Sequence, residues 1–162
     1  MSVPSKSANW PTGVTPAAQI VVSLFRSRNF IWDNDHRIVG RFGVTWTQFL
    51  TLSALRAASP DHLLSPTALY DATQASSGGM TKMLHGLSDL GYIDRIENPD
   101  DKRSRLVKLT PSGAKLAEDI VSKLIETNTA LIGEILDEEE TIMLDKLMGK
   151  LTQGLNTKHT NL

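Results

Sequence analysis

The sequence predicts a mainly helical protein that carries a small β-hairpin, an α+β fold. Three observations lead to this prediction. Long segments near both ends repeat apolar residues at helical spacing, a central helix ends at a glycine, and two strand-like segments joined by a charged turn follow that helix. Apolar residues at every third or fourth position mark the buried face of a helix, whereas short β-branched runs mark strands. A length of 162 residues suits one domain.

The first predicted helix runs from Pro16 to about Val39. Two neighbouring apolar stripes follow it, which indicates burial on more than one side. One stripe contains Ile20, Leu24, Ile31 and Ile38, and the other contains Val21, Phe25, Trp32 and Val39. Residues 1–15 lack the apolar core of a signal peptide. We therefore expect them to form a mobile N-terminal arm.

A second helix is predicted after the break at residues 40–43. Thr45 and Gln48 have the spacing of a capping box, in which each side chain accepts a hydrogen bond from the other residue's backbone N–H. The apolar face of this helix contains Phe49, Leu50, Leu52 and Leu55, and residues 59–61 end it. Leu63 and Leu64 form a minimal strand.

Two shorter helices are predicted next. Ser65 caps the first of them, with Pro66 at a position where a missing N–H costs nothing. Residues 74–75 form a turn, and Ser76 or Ser77 caps the second. The buried face of this second helix contains Met80, Met83, Leu84, Leu87 and Leu90, and its opposite face contains Thr81, Lys82, His85 and Asp89. Gly91 ends the helix in a left-handed conformation.

A hairpin and two helices complete the prediction. One strand covers residues 92–96, a turn covers residues 98–100, and the return strand covers residues 105–109. Thr110 and Pro111 start a long helix by the same capping logic. Its apolar residues are Leu116, Ala117, Ile120, Val121, Leu124, Ile125, Leu131, Ile132 and Ile135. Asp137 and Glu140 form a second capping box before a last helix, in which Leu144, Leu147, Met148 and Leu151 face inward.

The central segment is typical of a DNA-binding unit. Two helices joined by a tight turn and followed by a basic hairpin present one helix to a DNA major groove and a cationic loop to the neighbouring backbone or minor groove. The net charge of -1 gives this reading little support. The distribution of charge favours it, because residues 102–108 carry only cations and residues 134–145 carry only anions.

Residues 65–113 resemble the winged helix-turn-helix of the MarR family of bacterial transcriptional regulators. The first matching segment contains Leu87, Leu90, Gly91, Tyr92, Ile93 and Arg95; the wing contains Asp101, Lys102, Arg103 and Ser104; and the segment after it contains Leu109, Thr110, Pro111 and Gly113. The family's wing usually has arginine where this chain has Lys102. Helix order and length extend the resemblance over nearly the whole chain.

We expect DNA contacts from the recognition helix and from the wing. The predicted contact residues are Ser76, Ser77, Thr81, Lys82 and His85 in the helix and Lys102, Arg103 and Arg105 in the wing. Asp101 is expected to orient an arginine by a salt bridge, because an anion beside a phosphate is repelled. Arg95 either supports a wing carboxylate or binds phosphate. Gly78, Gly79 and Gly86 either allow the backbone to approach DNA closely or leave the helix soft.

The terminal helices are too apolar for one chain to cover, so we expect a homodimer. Residues 16–44 and 111–155 are the predicted dimerisation segments, residues 45–110 the DNA-binding domain, and residues 156–162 a disordered tail. The resemblance implies that the first helix and the last two helices interleave across a two-fold axis. A monomer that folds these helices back on itself is the alternative.

The resemblance also implies release from DNA by a small aromatic or phenolic ligand. Trp32, His36, Arg41 and Trp46 lie on the segments that would line its pocket, since aromatic side chains and a cation suit such a ligand. Burial in an ordinary core is the alternative for both tryptophans. Asp33, Asp35 and His36 are too closely spaced along a helix to share one face as metal ligands.

Composition excludes several classes of function. The absence of cysteine excludes disulfides, thiol redox sensing and thiolate metal sites. No motif indicates an enzyme, a cofactor or a membrane span. We therefore expect a cytoplasmic, sequence-specific regulator, a repressor that binds a palindromic operator as a homodimer. A winged helix that binds protein instead of DNA is the alternative, and the cationic wing favours DNA.

Overall fold

The computed structural model describes residues 15–58, 60–73, 77–99 and 105–159. In these ranges the chain is mainly helical with one small antiparallel sheet, which confirms the predicted fold class. The elements in chain order are α1 (Pro16–Gly40), α2 (Trp46–Ala57), β1 (Leu63–Leu64), α3 (Pro66–Thr73), α4 (Ser77–Asp89), β2 (Ile93–Glu97), β3 (Arg105–Leu109), α5 (Pro111–Gly133) and α6 (Glu138–His159).

Local hydrogen bonds at the helix starts match the sequence prediction. Thr45 and Gln48 form the predicted capping box at α2. The Ser65 hydroxyl accepts from Ala68 N at 3.1 Å, and the Thr110 hydroxyl accepts from Gly113 N at 3.1 Å. A second capping box precedes α6, because Glu140 N donates to the Asp137 carboxylate and Asp137 N donates to the Glu140 carboxylate. Each bond satisfies a backbone donor that the first helical turn leaves without a partner.

The sheet has the strand order β1-β3-β2, with both pairs antiparallel. Ile93 lies opposite Leu109 at the base of the β2–β3 hairpin, and Glu97 lies opposite Arg105 at its outer end. Leu63 pairs with Lys108 on the other side of β3, so the predicted minimal strand adds a third strand to the hairpin. The observed β2 begins at Ile93, one residue later than predicted, because Tyr92 N still bonds back to Leu87 O of α4.

The chain divides into two compact units, residues 1–37 and 38–162. The described part of the first unit is the greater part of helix α1. Its apolar side chains were predicted to be buried on two sides, but within this single chain several are exposed: Ile20, Val21, Val22, Phe25 and Phe30. Farther along α1, in the second unit, Ile38 and Val39 are buried.

The second unit contains the hydrophobic core. Its main cluster joins α2, α3, α4, the sheet and the start of α5, and consists of Leu52, Leu55, Leu69, Met80, Met83, Leu84, Leu87, Ile93, Val107, Leu109 and Ala117. A neighbouring cluster contains Val39, Val44, Phe49 and Ile120. One face of α4 is therefore fixed against the core, as its apolar spacing predicts.

Three predictions about burial and helix length differ from the structure. Leu90 was predicted to face the core but is 53% exposed, because α4 ends at Asp89 and Leu90 lies in the following turn. The inward-facing residues predicted for α6 (Leu144, Leu147, Met148 and Leu151) are all exposed in the single chain. Helix α6 also continues to His159, into the segment that was predicted to be a disordered tail.

Candidate nucleic-acid interface

Helix α4 presents a polar face away from the core. Met83, Leu84 and Leu87 are buried on one side of the helix, whereas Thr81, Lys82, His85 and Asp89 are exposed. Three of these exposed residues are predicted DNA contacts: Thr81, Lys82 and His85. The structure brings them together on one surface, because residues three or four apart lie on the same side of a helix.

The predicted contacts at the start of α4 are only partly described. Ser77 is the first residue of the helix, where backbone N–H groups lack helical partners and attract anions. Ser76 lies outside the described residues, as do residues 74 and 75 of the predicted turn.

The end of α4 is joined to the start of α5. Gly91 has a φ of 71°, and Gly91 N and Tyr92 N donate to the carbonyls of Ser88 and Leu87, which is the hydrogen-bond pattern of a Schellman cap. The hydroxyls of Thr110 and Ser112 both donate to Gly91 O at 2.8 Å. The end of the recognition helix is therefore held by the residues that start α5.

The wing is described along its two strands. Arg105 is exposed at the outer end of β3, opposite Glu97, and Arg95 is half-buried in β2, opposite Val107. The predicted contacts Lys102 and Arg103 and the predicted supporting residue Asp101 lie outside the described residues. Among the described cations of the wing, the position of Arg105 suits contact with a DNA backbone better than the half-buried position of Arg95.

A cleft of about 540 Å³ separates the start of α2 from α4. It is lined by Thr45, Thr47 and Gln48 from α2 and its cap, and by Gly79, Lys82, Met83 and Gly86 from α4. From the sequence alone, Thr45 and Gln48 are predicted only as capping residues. Their presence beside the recognition helix depends on the packing of two helices and has no local sequence signal.

The candidate ligand residues lie on two separate segments. On α1, the Trp32 and His36 ring centroids are 4.3 Å apart, and Arg28 Cζ lies 4.4 Å from the centroid of the Trp32 ring. Arg28 was not among the predicted ligand residues, although its spacing of four residues from Trp32 could have indicated it. Trp46 packs on Phe49 with 5.4 Å between ring centroids, in agreement with the core alternative, and Arg41 is exposed.

Helices α5 and α6 enclose an apolar groove of about 820 Å³ near the turn that joins them. Its lining contains the apolar residues Leu124, Ile125, Ile132, Leu136 and Ile142 together with the acidic residues Asp137 and Glu138. Ile125 and Ile142 are each more than half exposed in the single chain.

No described helix has both the length and the hydropathy of a membrane span. Within residues 15–58, 60–73, 77–99 and 105–159, no three side chains of the His, Cys, Asp or Glu types are grouped so that they could hold a metal ion.

The fold and the exposed face of α4 define the class as a winged helix-turn-helix protein. A model of the MarR family matches residues 42–104. The chain is 31% identical over 108 residues to the multiple antibiotic resistance protein MarR of Escherichia coli K12, covering 67% of this chain and 73% of that protein. It is 30% identical over 139 residues to the HTH-type transcriptional repressor YetL of Bacillus subtilis, covering 85% and 81%. The chain belongs to the MarR family.

Solved structures agree with this assignment. A mutant of E. coli MarR complexed with operator DNA superposes with a TM-score of 0.59 at 26% identity, covering 85% of this chain and 99% of that one. NadR in complex with 4-hydroxyphenylacetate shares the fold, with a TM-score of 0.59 at 23% identity and coverage of 92% and 97%. The protein is a DNA-binding transcriptional regulator, which confirms the predicted class and agrees with the prediction that it is not an enzyme.

Proposed function

We propose that the protein is a homodimeric repressor that reads a palindromic operator with α4 and leaves it when a small aromatic or phenolic ligand binds. One observation above all supports the proposal that α4 recognises the operator sequence. Lys82, Thr81 and His85 are exposed on a helix whose opposite face is fixed in the core. A recognition helix needs both properties, because base edges are read by side chains held at a defined position.

The exposed apolar surface supports a second copy of the chain as partner. Soluble monomers rarely expose large contiguous apolar patches. Here exposed apolar residues are concentrated on the helices predicted to mediate dimerisation, among them Phe25 on α1, Ile125 on α5 and Ile142 and Leu147 on α6. A two-fold symmetric dimer would hold two recognition helices at the spacing of two DNA half-sites.

Two comparisons support the finer parts of the proposal. YetL is named a transcriptional repressor, which supports repression over activation. NadR was solved with a phenolic carboxylate, which supports the proposed ligand class. In this chain, the Arg28–Trp32–His36 stack on α1 presents a cation and two aromatic rings, and Arg41 and Trp46 supply the same chemistry on another segment.

Selection of bound sequences from random duplex DNA tests the operator proposal. A palindromic consensus with half-sites about one helical turn apart is expected. Recovery of a single asymmetric half-site would contradict a two-fold dimer. Recovery of no consensus would contradict sequence reading by α4.

Tryptophan fluorescence during titration with salicylate-like and phenolic acids tests the ligand proposal. A ligand that releases operator DNA tenfold must bind the free protein tenfold more tightly than the complex, a difference of about 1.4 kcal/mol. Trp32→Phe and Trp46→Phe are each expected to remove part of the signal. Binding that leaves operator affinity unchanged would refute the coupling.

A further inference from the structure

The side-chain amide of Gln48 meets the recognition helix at Gly86. The Gln48 carbonyl oxygen accepts from Thr45 N at 2.8 Å, and Gln48 N donates to the Thr45 hydroxyl at 3.3 Å. The first of these bonds holds the side-chain amide of Gln48, and the second holds the side chain of Thr45. The amide nitrogen, Nε2, is therefore held toward α4.

Gly86 has no room for a side chain without a movement of its neighbour. A Cβ atom at this position would lie 3.3 Å from Gln48 Nε2, which is closer than almost all such contacts in proteins. The Gln48 amide can give only by a small amount while its oxygen stays bonded to Thr45 N. A methyl group at Gly86 therefore requires a shift of a few tenths of an ångström, either of the Gln48 amide or of α4.

A second contact joins the same two helices, one turn later in α2 and one turn earlier in α4. The hydroxyl of Thr51, which is fully buried, donates to Thr47 O at 2.9 Å and lies 3.3 Å from Met83 Sδ. Thr51 follows Gln48 by three residues, and Met83 precedes Gly86 by three, so the contacts lie on successive turns of both helices. Lys82 is the direct neighbour of Met83 and lines the cleft between the helices.

We propose that Gly86 is a positioning residue for DNA recognition, and that its contact with Gln48 sets how far the exposed face of α4 projects from the protein. The inference depends on the proposed reading role of α4. Helix packing then explains why residue 86 is glycine: the absence of a side chain allows α4 to pack on the amide of Gln48. Gly78 differs, because nothing lies within 4 Å of a Cβ atom placed there.

Displacement of α4 should affect specific and non-specific binding differently. Base contacts depend on the position of each side chain to within a fraction of an ångström, whereas non-specific binding depends mainly on the number of phosphates that cations neutralise. Gly86→Ala retains every cation. It should therefore lower the preference for operator over random duplex DNA and leave the salt dependence of non-specific binding unchanged.

A double-mutant cycle tests the proposal. Affinity for the selected operator and for a random duplex is measured for wild type, Gly86→Ala, Gln48→Ala and the double variant, and circular dichroism melting verifies that each is folded. Gly86→Ala is expected to lower the operator preference about tenfold, and Gln48→Ala, which removes the contact from the other side, is expected to lower it as well. In the Gln48→Ala background the further loss from Gly86→Ala should shrink to less than about threefold, because contacting residues are energetically coupled.

Gly78→Ala is the matched control in the same helix. Any effect it has should be the same in both backgrounds, because Gly78 does not touch Gln48. An unchanged preference in Gly86→Ala, or an equal loss with and without Gln48, would overturn the inference while the wild type still binds its operator. A wild type without any sequence preference would instead overturn the proposed function, and the inference with it.

Discussion

Gly113, in the first turn of α5, lies directly against the main-chain carbonyl of Tyr92, at the end of the recognition helix. A Cβ atom on Gly113 would overlap that carbonyl and would lie 2.9 Å from Leu109 Cδ1. Thr110 N donates to the same carbonyl at 3.1 Å, so the carbonyl is held in place. This close approach explains why the matching segment that begins at Leu109 and Thr110 ends in glycine at Gly113.

Gly113→Ala is expected to destabilise the fold by about 2 kcal/mol or more, because overpacking against backbone cannot be relieved by a side-chain rotation. Urea unfolding followed by circular dichroism measures the effect. Gly149→Ala in α6, where a Cβ atom meets nothing within 4 Å, is the control and should be neutral or stabilising by up to about 1 kcal/mol. Equal effects of the two substitutions would show that the Tyr92 contact imposes no constraint.

His62 holds a left-handed backbone conformation, with a φ of 52°. For residues other than glycine this conformation costs roughly 1–2 kcal/mol. His62→Gly should therefore be more stable than His62→Ala by about 1 kcal/mol, although both lose the ring's 3.5 Å contact with Arg56. Thermal melting of the two variants measures the difference.

The control for this comparison is an exposed position inside a helix. At Lys115 in α5 the order should reverse, with Lys115→Gly less stable than Lys115→Ala by about 1 kcal/mol. If glycine is also the less stable substitution at residue 62, the strain assigned to His62 is wrong.

We expect the wild type to be a dimer at micromolar concentration, as measured by light scattering. The double variant Ile125→Glu/Ile142→Glu should be monomeric, because it places charges on exposed apolar positions of both α5 and α6. Its helical content should be largely retained, since both residues lie outside the core. Ile96→Glu, at an exposed apolar position on the wing, is the control and should remain dimeric. A monomeric wild type would contradict the proposed assembly.

Lys82→Ala should weaken binding to operator and random duplexes by a similar factor. The loss of one phosphate contact should reduce the salt dependence of binding by about one counterion. Lys123→Ala is the control, because Lys123 is on α5 and pairs with Glu126 at 2.8 Å. A salt dependence equal to that of the wild type would show that Lys82 makes no phosphate contact.

Local chemistry explains which parts of the structure were predictable. The starts of α2, α5 and α6 follow from side chains that satisfy nearby backbone N–H groups, and the end of α4 follows from Gly91. Leu90 was misjudged because apolar spacing continues for one residue past the end of the helix. The contact between Gln48 and Gly86 was not predictable, because it depends on how two helices cross and not on the pattern of either helix.

The residues of the candidate site also fall into a group that the sequence predicts and a group that it does not. The exposed positions of Thr81, Lys82 and His85 follow from helical spacing, and the structure agrees. The exposure of Leu144 and Leu147 could not be predicted from helical spacing, because apolar spacing identifies a face that must be covered but not the element that covers it. The contact of Trp46 with Phe49 was predictable, because residues three apart lie on the same side of a helix.

The hydroxyls of Thr110 and Ser112 bond to Gly91 O, so the end of the recognition helix is tied to the start of α5. With 23 residues, α5 is about 34 Å long. A shift of roughly 3 Å at the distant end of such a helix corresponds to a rotation of about 5° at the joint. Side chains within about 10 Å of the joint would then move by less than about 1 Å, a fraction of the rise of one helical turn. A movement at the distant end of α5 would therefore displace the exposed face of α4 by a much smaller distance.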